Sequence, residues 1–356
     1  MPSSPAAQAS PRSVLERMPK WLICVPLAFQ WAWLGLRHGS LTLPSAANPH
    51  ITSGGLVGEG KLEYFEQMGP VGRAATAPWL GVRDIATLPE HELAATLDAA
   101  GIGFPLVAKP NLGLCGYGVR KLDSLAALRA YGALYPAGQS LVLQHYLAQE
   151  HEAGIFYARD PNSGKGRLIG LALRYYPRVQ GDGRSTLGAL IRSDPRTMRL
   201  LRSPAHVCPL DLDSVPAAGQ TVRLATIGST RVGGLYRDGA ALITDALTAA
   251  IDTIAREMPE FHFGRFDVRF DDEAALRAGR GFSIMEVNGA GSEAIHAWDP
   301  EIGLVAGLRM VFAKQRLLFE IGAANRERGV RPIGLRELAR LNAGQNRLID
   351  LYPASN

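Results

Sequence analysis

Two groups of residues have types and spacings that suit chemistry. The first is Lys109 and the run behind it, Val107-Ala108-Lys109-Pro110-Asn111-Leu112-Gly113-Leu114-Cys115-Gly116-Tyr117-Gly118-Val119. A lysine closes a short apolar stretch, and glycines follow at once. Glycine lets backbone N–H groups approach phosphate oxygens, and lysine adds a point charge. The order is not that of a P-loop, whose lysine follows its glycines, nor of a dinucleotide fingerprint, GxGxxG after a strand. Alone, such a loop is equally a glycine-rich turn. The second group lies on two late segments. Along Phe263–Phe270 a period of two puts Arg265, Asp267 and Arg269 on one face, with Gly264, Phe266, Val268 and Phe270 on the other. Along Ser283–Asn288, Glu286 and Asn288 share a face and Met285 and Val287 oppose them. Paired, the two strands present Asp267, Glu286 and Asn288 as three oxygen donors, which suit Mg²⁺. Taken singly, each strand reads as a solvated face with ordinary ion pairs. No Ser-His-Asp elbow is visible, and Cys115 has no evident base, so it reads as a small filler.

The elements that position these residues alternate between strand and helix. Residues 89–100 read as a helix ended by Gly101, and 122–135 as a helix with Asp123 as N-cap. Strands are expected over 104–110, 140–147, 153–159, 166–179, 262–270 and 282–288, and long helices over 239–258 and 301–324. The expected class is α+β, with antiparallel hairpins late in the chain.

The 356 residues, with 47% hydrophobic and 20% charged, exclude a collagen, a long coiled coil and a wholly disordered chain. A net charge of +5 is thin at this length. With no basic-aromatic interleaving, no nucleic-acid partner is expected. Three scattered cysteines (Cys24, Cys115, Cys208) fit a reducing compartment, hence a cytoplasmic or membrane-peripheral location. Residues 1–20 read as a mobile tail. The run 21–36 is apolar and Trp-rich, but a membrane span needs about 20 apolar residues. It suits either a helix packed on the domain or one lying in a membrane interface. The Arg-rich end, with a helix near 334–348, suits either an anionic membrane or the protein's own surface.

The order of these parts resembles the ATP-grasp superfamily, in particular its D-alanine–D-alanine ligase and cyanophycin synthetase branch, over residues 55–320. The resemblance is carried by FPLVAKPNLGLCGYGV, by FGRFDVRF with FSIMEVNGAGS, and by GDGRST (181–186) and STRVGG (229–234). It implies ATP held between two α+β subdomains, with one or two Mg²⁺ that Mn²⁺ can replace. Lys109 and an earlier lysine, Lys61, would contact the phosphates, and Gly113, Gly116 and Gly118 would form the loop over them. Gln144, His145, Tyr146 and Leu147 would be the adenine hinge, and Glu152 or Glu150 would bind the ribose. Asp267, Glu286 and Asn288 would hold the metal. Arg265 and the Gly289–Ser292 turn, with Gly291 and Ser292, would face the reacting carboxylate and its oxyanion.

The implied activity is a carboxylate–amine ligation through an acyl phosphate. A small-molecule kinase and a nucleotide-binding regulator are the alternatives. Arg174, Arg178, Arg184 and Arg231 stand where this branch often binds substrate, and His296, just past the metal strand, would shape the amine site. The implied partners are a small carboxylate and a small amine, with a second copy in a homodimer and a membrane or carrier contact through 21–37 and the C-terminal helix. The layout expected is 1–20 tail, 21–50 Trp-rich helix, 51–88 reduced leading segment, 89–147 and 148–324 the two subdomains, and 325–356 a basic helix. Residues 46–55 read as a remnant glycine loop at the active site.

Overall fold

The computed structural model describes residues 13–356; the first twelve residues of the expected tail lie outside the described residues. The rest of that tail is anchored. Ser13 caps helix α1 (Val14–Arg17) through a reciprocal bond with Glu16. Glu16 is buried and ion-paired to Arg196 (2.7 Å) and Arg199 (3.2 Å). Composition marks this stretch as a tail because its partners lie 180 residues away.

Helix α2 (Lys20–His38) ends at Gly39, which takes the left-handed conformation (φ 69°) that favours glycine. It is thus shorter than the expected 21–50, and 3₁₀ turns at Leu43–Ala46 and Thr52–Gly55 follow it. One side packs: Leu34 is buried and Trp31 meets Phe319 edge-on at 5.1 Å. The other side leaves Trp21, Phe29, Trp33 and Leu36 exposed. Among the described residues no helix is long and apolar enough to cross a membrane.

Short helices α3 (Lys61–Glu66) and α4 (Pro70–Ala74) lead into the first sheet. Its parts are β1 (Trp79–Arg83), α5 (Glu90–Ala99), β2 (Leu106–Pro110), β3 (Arg120–Leu122), α6 (Leu125–Leu134) and β4 (Ser140–His145). The strand order is β1-β4-β2-β3, antiparallel throughout. β1 falls inside the segment expected to lead into the domain, so the first subdomain takes a strand from before residue 89. Its five residues are too few to show a period by themselves. Ser124, not Asp123, caps α6; Asp123 pairs with Lys121 instead.

The second sheet and the elements threaded between its strands are β5 (His151–Arg159), β6 (Gly166–Tyr175), β7 (Arg178–Gln180), α7 (Leu187–Ser193), α8 (Met198–Arg202), β8 (Thr221–Arg223), β9 (Leu235–Asp238), α9 (Asp245–Glu257), β10 (Phe263–Phe270), α10 (Glu273–Arg277) and β11 (Phe282–Asn288). Its order is β11-β10-β5-β6-β9; β7 and β8 form a separate ribbon with α7 and α8 around a small core of their own. Along β10 the even positions Phe266, Val268 and Phe270 are buried against Leu247, Ile251 and Ile254 of α9. Each such side chain contributes about 1.5–3 kcal/mol of burial, which fixes the register and turns the odd, charged positions to the opposite face. Asp267 pairs directly with Glu286, and Arg265 with Asn288. Helices α11 (Leu304–Glu327) and α12 (Leu335–Ile349) close the chain.

Candidate active site

A cavity of about 530 Å³ lies between the two sheets. β2 delivers Lys109 to its floor, where the ammonium donates to Gln144 Oε1 (2.6 Å) on β4 and to the Met285 carbonyl (3.2 Å) on β11. Burial pulls Lys109 down to about 8, opposed by Glu286 and aided by Lys61. Lys61, at the first turn of α3, pairs with Glu286 at 3.2 Å. The Asn111 side chain accepts from Leu62 N (2.9 Å), so α3 is fastened to the start of the glycine loop. A Cβ on Gly113 would lie 2.9 Å from the Lys61 ammonium, so glycine is what leaves that cation room. Gly116 lines the cavity, while Gly118 lies behind the loop, against Pro110 and Tyr352.

The hinge residues separate. Gln144 is buried and committed to Lys109 and, through its amide, to Ala77 O (3.3 Å), so it positions the lysine rather than meeting a base. His145, Tyr146 and Leu147 line the cavity. Arg269 holds this stretch by donating to the carbonyls of Leu147 and Gln149 (3.2 Å for the latter).

Across the floor runs a network of charges. Arg174 bridges Glu152 (3.0 Å) and Asp267 (2.9 Å), and Arg265 grips both oxygens of Asp267 at 2.6 and 2.9 Å. Tyr176 donates to Glu152 and accepts from Arg269 (2.6 Å). Burial works to raise the Asp267 carboxyl; Arg174 and Arg265 overturn it and hold it below the usual carboxylate range. Asn288 donates its amide nitrogen to Asp267 Oδ2 at 3.2 Å. The donor set of two carboxylates and an amide oxygen has the hard-oxygen chemistry that Mg²⁺ takes. Glu286 has an oxygen beyond its contact with Lys61, whereas Asp267 yields an oxygen only when a guanidinium shifts.

The Gly289–Ser292 turn departs from expectation. The N–H groups of Ala290 and Gly291 donate to the carbonyls of Gly54 (3.2 Å) and Gly55 (2.5 Å). They are therefore not oxyanion donors; the 46–55 segment takes them and braces the turn from behind. Asn48 locks that brace, donating to Gly54 O and Phe263 O and accepting from His262 N. A Cβ on Gly55 would sit 2.5 Å from Gly289 Cα. The donors left toward the cavity are Arg265 and the Ser292 hydroxyl, whose oxygen is buried with no partner among the described residues.

Four expected substrate residues and one of the two ribose candidates lie outside the cavity wall. Glu150 and Arg178 pair with each other on the surface. Arg184 is exposed, its N–H donating to the Asp182 carboxylate. Arg231 braces the glycine loop from behind through the carbonyls of Cys115 (3.4 Å) and Gly116 (3.3 Å). His296 is buried against Phe156 (4.9 Å), and burial lowers its pKa. Arg174 does line the cavity, spent on ion pairs.

Several lining residues had no place in the expectation. Glu59 is pushed up to about 7, chiefly by burial, and its Oε2 has no partner among the described residues. Asn342, Gln345 and Asn346 of α12 also reach the cavity. Gln345 accepts from Gly58 N (3.0 Å) and donates to Gly113 O (3.3 Å), so the C-terminal helix lies over the cleft mouth. Their i, i+3, i+4 spacing was a usable signal, masked by the arginines around it.

No family model matches the chain, and no curated protein matches it. Among solved structures it is similar to a bifunctional glutathione synthetase from Pasteurella multocida, at 16% identity and a TM-score of 0.36, over 71% of this chain and 36% of that one. It is also similar to the VanG D-Ala:D-Ser ligase from Enterococcus faecalis, at 11% identity and a TM-score of 0.40, over 74% of this chain and 64% of that one. The chain thus spans less than two thirds of the length of either structure, and its α+β class rests on its own two antiparallel sheets.

Proposed function

We propose that the protein is an ATP-dependent carboxylate–amine ligase that works through an acyl phosphate and releases ADP and phosphate. One observation carries this reading: Lys61, Lys109, Glu286, Asp267, Asn288 and Arg265 line a single cavity roofed by a glycine loop. The likeness of the Lys109 loop and of the Asp267 and Glu286 strands to ATP-grasp sequences supports it.

A carboxylate is a poor electrophile, and phosphorylation gives it a good leaving group. Lys109 and Lys61 hold the oxygens of the phosphoryl group in flight, where charge spreads over three oxygens. Glu286, Asp267 and Asn288 would hold Mg²⁺, which when bound neutralises phosphate charge. Arg265 faces the reacting carboxylate, and its guanidinium with the Ser292 hydroxyl meets the oxyanion that forms when an amine attacks. The glycine loop and α12 keep water from the acyl phosphate. The test is ADP and phosphate release from Mg²⁺-ATP across paired carboxylates and amines, with mass spectrometry of the products and Glu286→Gln alongside. Release that needs both organic substrates and fails in the variant supports a ligase. Phosphorylated acid accumulating without any amine dependence points to a kinase and overturns it.

A further inference from the structure

A second cavity, of about 200 Å³, lies directly behind the Gly289–Ser292 turn. Its walls are Leu15 of α1, Ile23, Leu27 and Trp31 of α2, and Val311 and Leu318 of α11. Leu56, Gly291 and Glu293 line both cavities, so the two share a wall at the reacting end of the cleft. Protein interiors hold few voids larger than a water molecule, and apolar cavities of this order stay dry and accept small hydrocarbons. The second cavity is not wholly apolar. Lys314 lines the second cavity and donates to the Ser292 carbonyl, with the Phe263 ring 5.8 Å from its ammonium. The neighbouring Gln315 is more than nine-tenths buried, and its Oε1 has no partner among the described residues. A buried acceptor and a buried amine in the wall of an apolar void are costly unless something polar reaches them.

We infer that this cavity receives the apolar portion of the substrate, an aryl or branched-alkyl group carried by the carboxylic acid that reacts beside Gly291 and Ser292. Lys314 and Gln315, in the wall of the second cavity, meet polar atoms of that acid. The inference rests on the ligase reading for its reacting end and on the geometry of α1, α2 and α11 for its apolar end. The apolar wall of the acid site is then supplied by α1, α2 and α11.

The test uses the full chain with acetate, hexanoate and 3-phenylpropanoate as probes. Binding of each acid is measured by calorimetry, ATP binding separately, and ADP release with each acid and a fixed amine. Binding and kcat/KM are expected to rise by at least roughly tenfold from acetate to 3-phenylpropanoate, as apolar area is buried. Val311→Trp fills the cavity from α11 and Leu27→Trp from α2; each is expected to abolish that preference while ATP binding stays. Circular dichroism and ATP affinity show whether each variant is folded. Equal affinity for acetate and 3-phenylpropanoate overturns the inference, and so does a preference that survives in both folded variants. Retained, blockable 3-phenylpropanoate binding with no ATP binding would instead sink the ligase reading and leave the cavity assigned.

Discussion

Two buried ion clusters in this molecule look alike and do different work. In the first, Glu152 and Asp267 are gripped by Arg174 and Arg265 on the floor of the cleft. In the second, Glu16 is gripped by Arg196 and Arg199, with side-chain exposure of only 4% for the carboxylate. The second is closed: Glu16 also accepts from Ser13 N, and Arg196 donates to Gly234 O. It ties α1 to the β7–β8 ribbon region, and Glu16, Arg196 and Arg199 line neither cavity, although Leu15 beside them lines the second. The first opens onto 530 Å³, beside the Ser292 hydroxyl and the Glu286 oxygens. Burial of charge is common to both, so burial does not mark function. Valence left over at the edge of a cavity does.

The largest effect should come from breaking the open cluster's neighbour. Glu286→Gln keeps the shape and removes the charge facing Lys61 and the proposed Mg²⁺ position. Turnover of Mg²⁺-ATP is expected to fall about a thousandfold, the upper range for losing one preorganised electrostatic contact. The thermal midpoint should hold, because the Glu286 side chain keeps 29% of its surface open to the cleft. Equal losses of turnover and stability would mean that the cleft carboxylates are structural, like Glu16.

Glu16→Gln is the mirror experiment. Removing one partner of a buried ion pair strands two guanidiniums, at a cost of about 3 kcal/mol or more. Denaturant melts should show that loss, and turnover per folded molecule should match the parent chain. A fall in kcat at full folding would join the N-terminal cluster to the site and erase the contrast.

Lys109 sharpens the comparison through pH. Its folded pKa of about 8 lies below the ordinary value of 10.5, chiefly from burial. Between about 8 and 10.5 the unfolded chain holds more protons than the folded one. Stability from this group therefore rises with pH across that window. Activity runs the other way, since a neutral amine no longer attracts phosphate, and kcat/KM for ATP should fall above about pH 8. Lys109→Arg cannot lose its proton there, and its profile should lose that falling limb. An unchanged limb in the variant would remove Lys109 from phosphate binding.

Much of the cleft was legible because short-range rules govern it. The period of two along Phe263–Phe270 and Ser283–Asn288 placed Asp267, Glu286 and Asn288 together, since Phe266, Val268 and Val287 have only one face on which to be buried. Lys109 followed from a strand running into glycines. What escaped depends on partners far apart in sequence. The Ala290 and Gly291 amides look available until the Gly54 and Gly55 carbonyls, over 230 residues earlier, are seen to take them. Gln144 reads as a hinge residue until Lys109 is found on its side chain. Asn342 and Gln345 were hidden because α12 announces its arginines, and its polar stripe matters only once α12 is laid on Gly58 and Gly113.

The smallest effect is expected where the comparison is most easily mistaken, at Arg231. It was expected to meet substrate, yet it stands behind the glycine loop. Its fork reaches the Cys115 and Gly116 carbonyls, and also the hydroxyls of Ser203 and Ser355, both at 2.9 Å. On the ligase reading it would therefore act on the nucleotide only through loop position. Arg231→Lys keeps the charge and loses the fork, since a point ammonium cannot serve five acceptors, the Ala205 carbonyl among them, spread over three segments. The loop then spends less time closed. The KM for ATP should rise about fivefold, roughly 1 kcal/mol by the usual tenfold-per-1.4 conversion, with kcat and the organic-substrate KM values near those of the parent. A substrate-binding arginine would give the opposite split, raising the KM for the acid or amine and sparing that for ATP. Steady-state kinetics with each substrate varied in turn separates the two, and the second pattern would return Arg231 to the cleft.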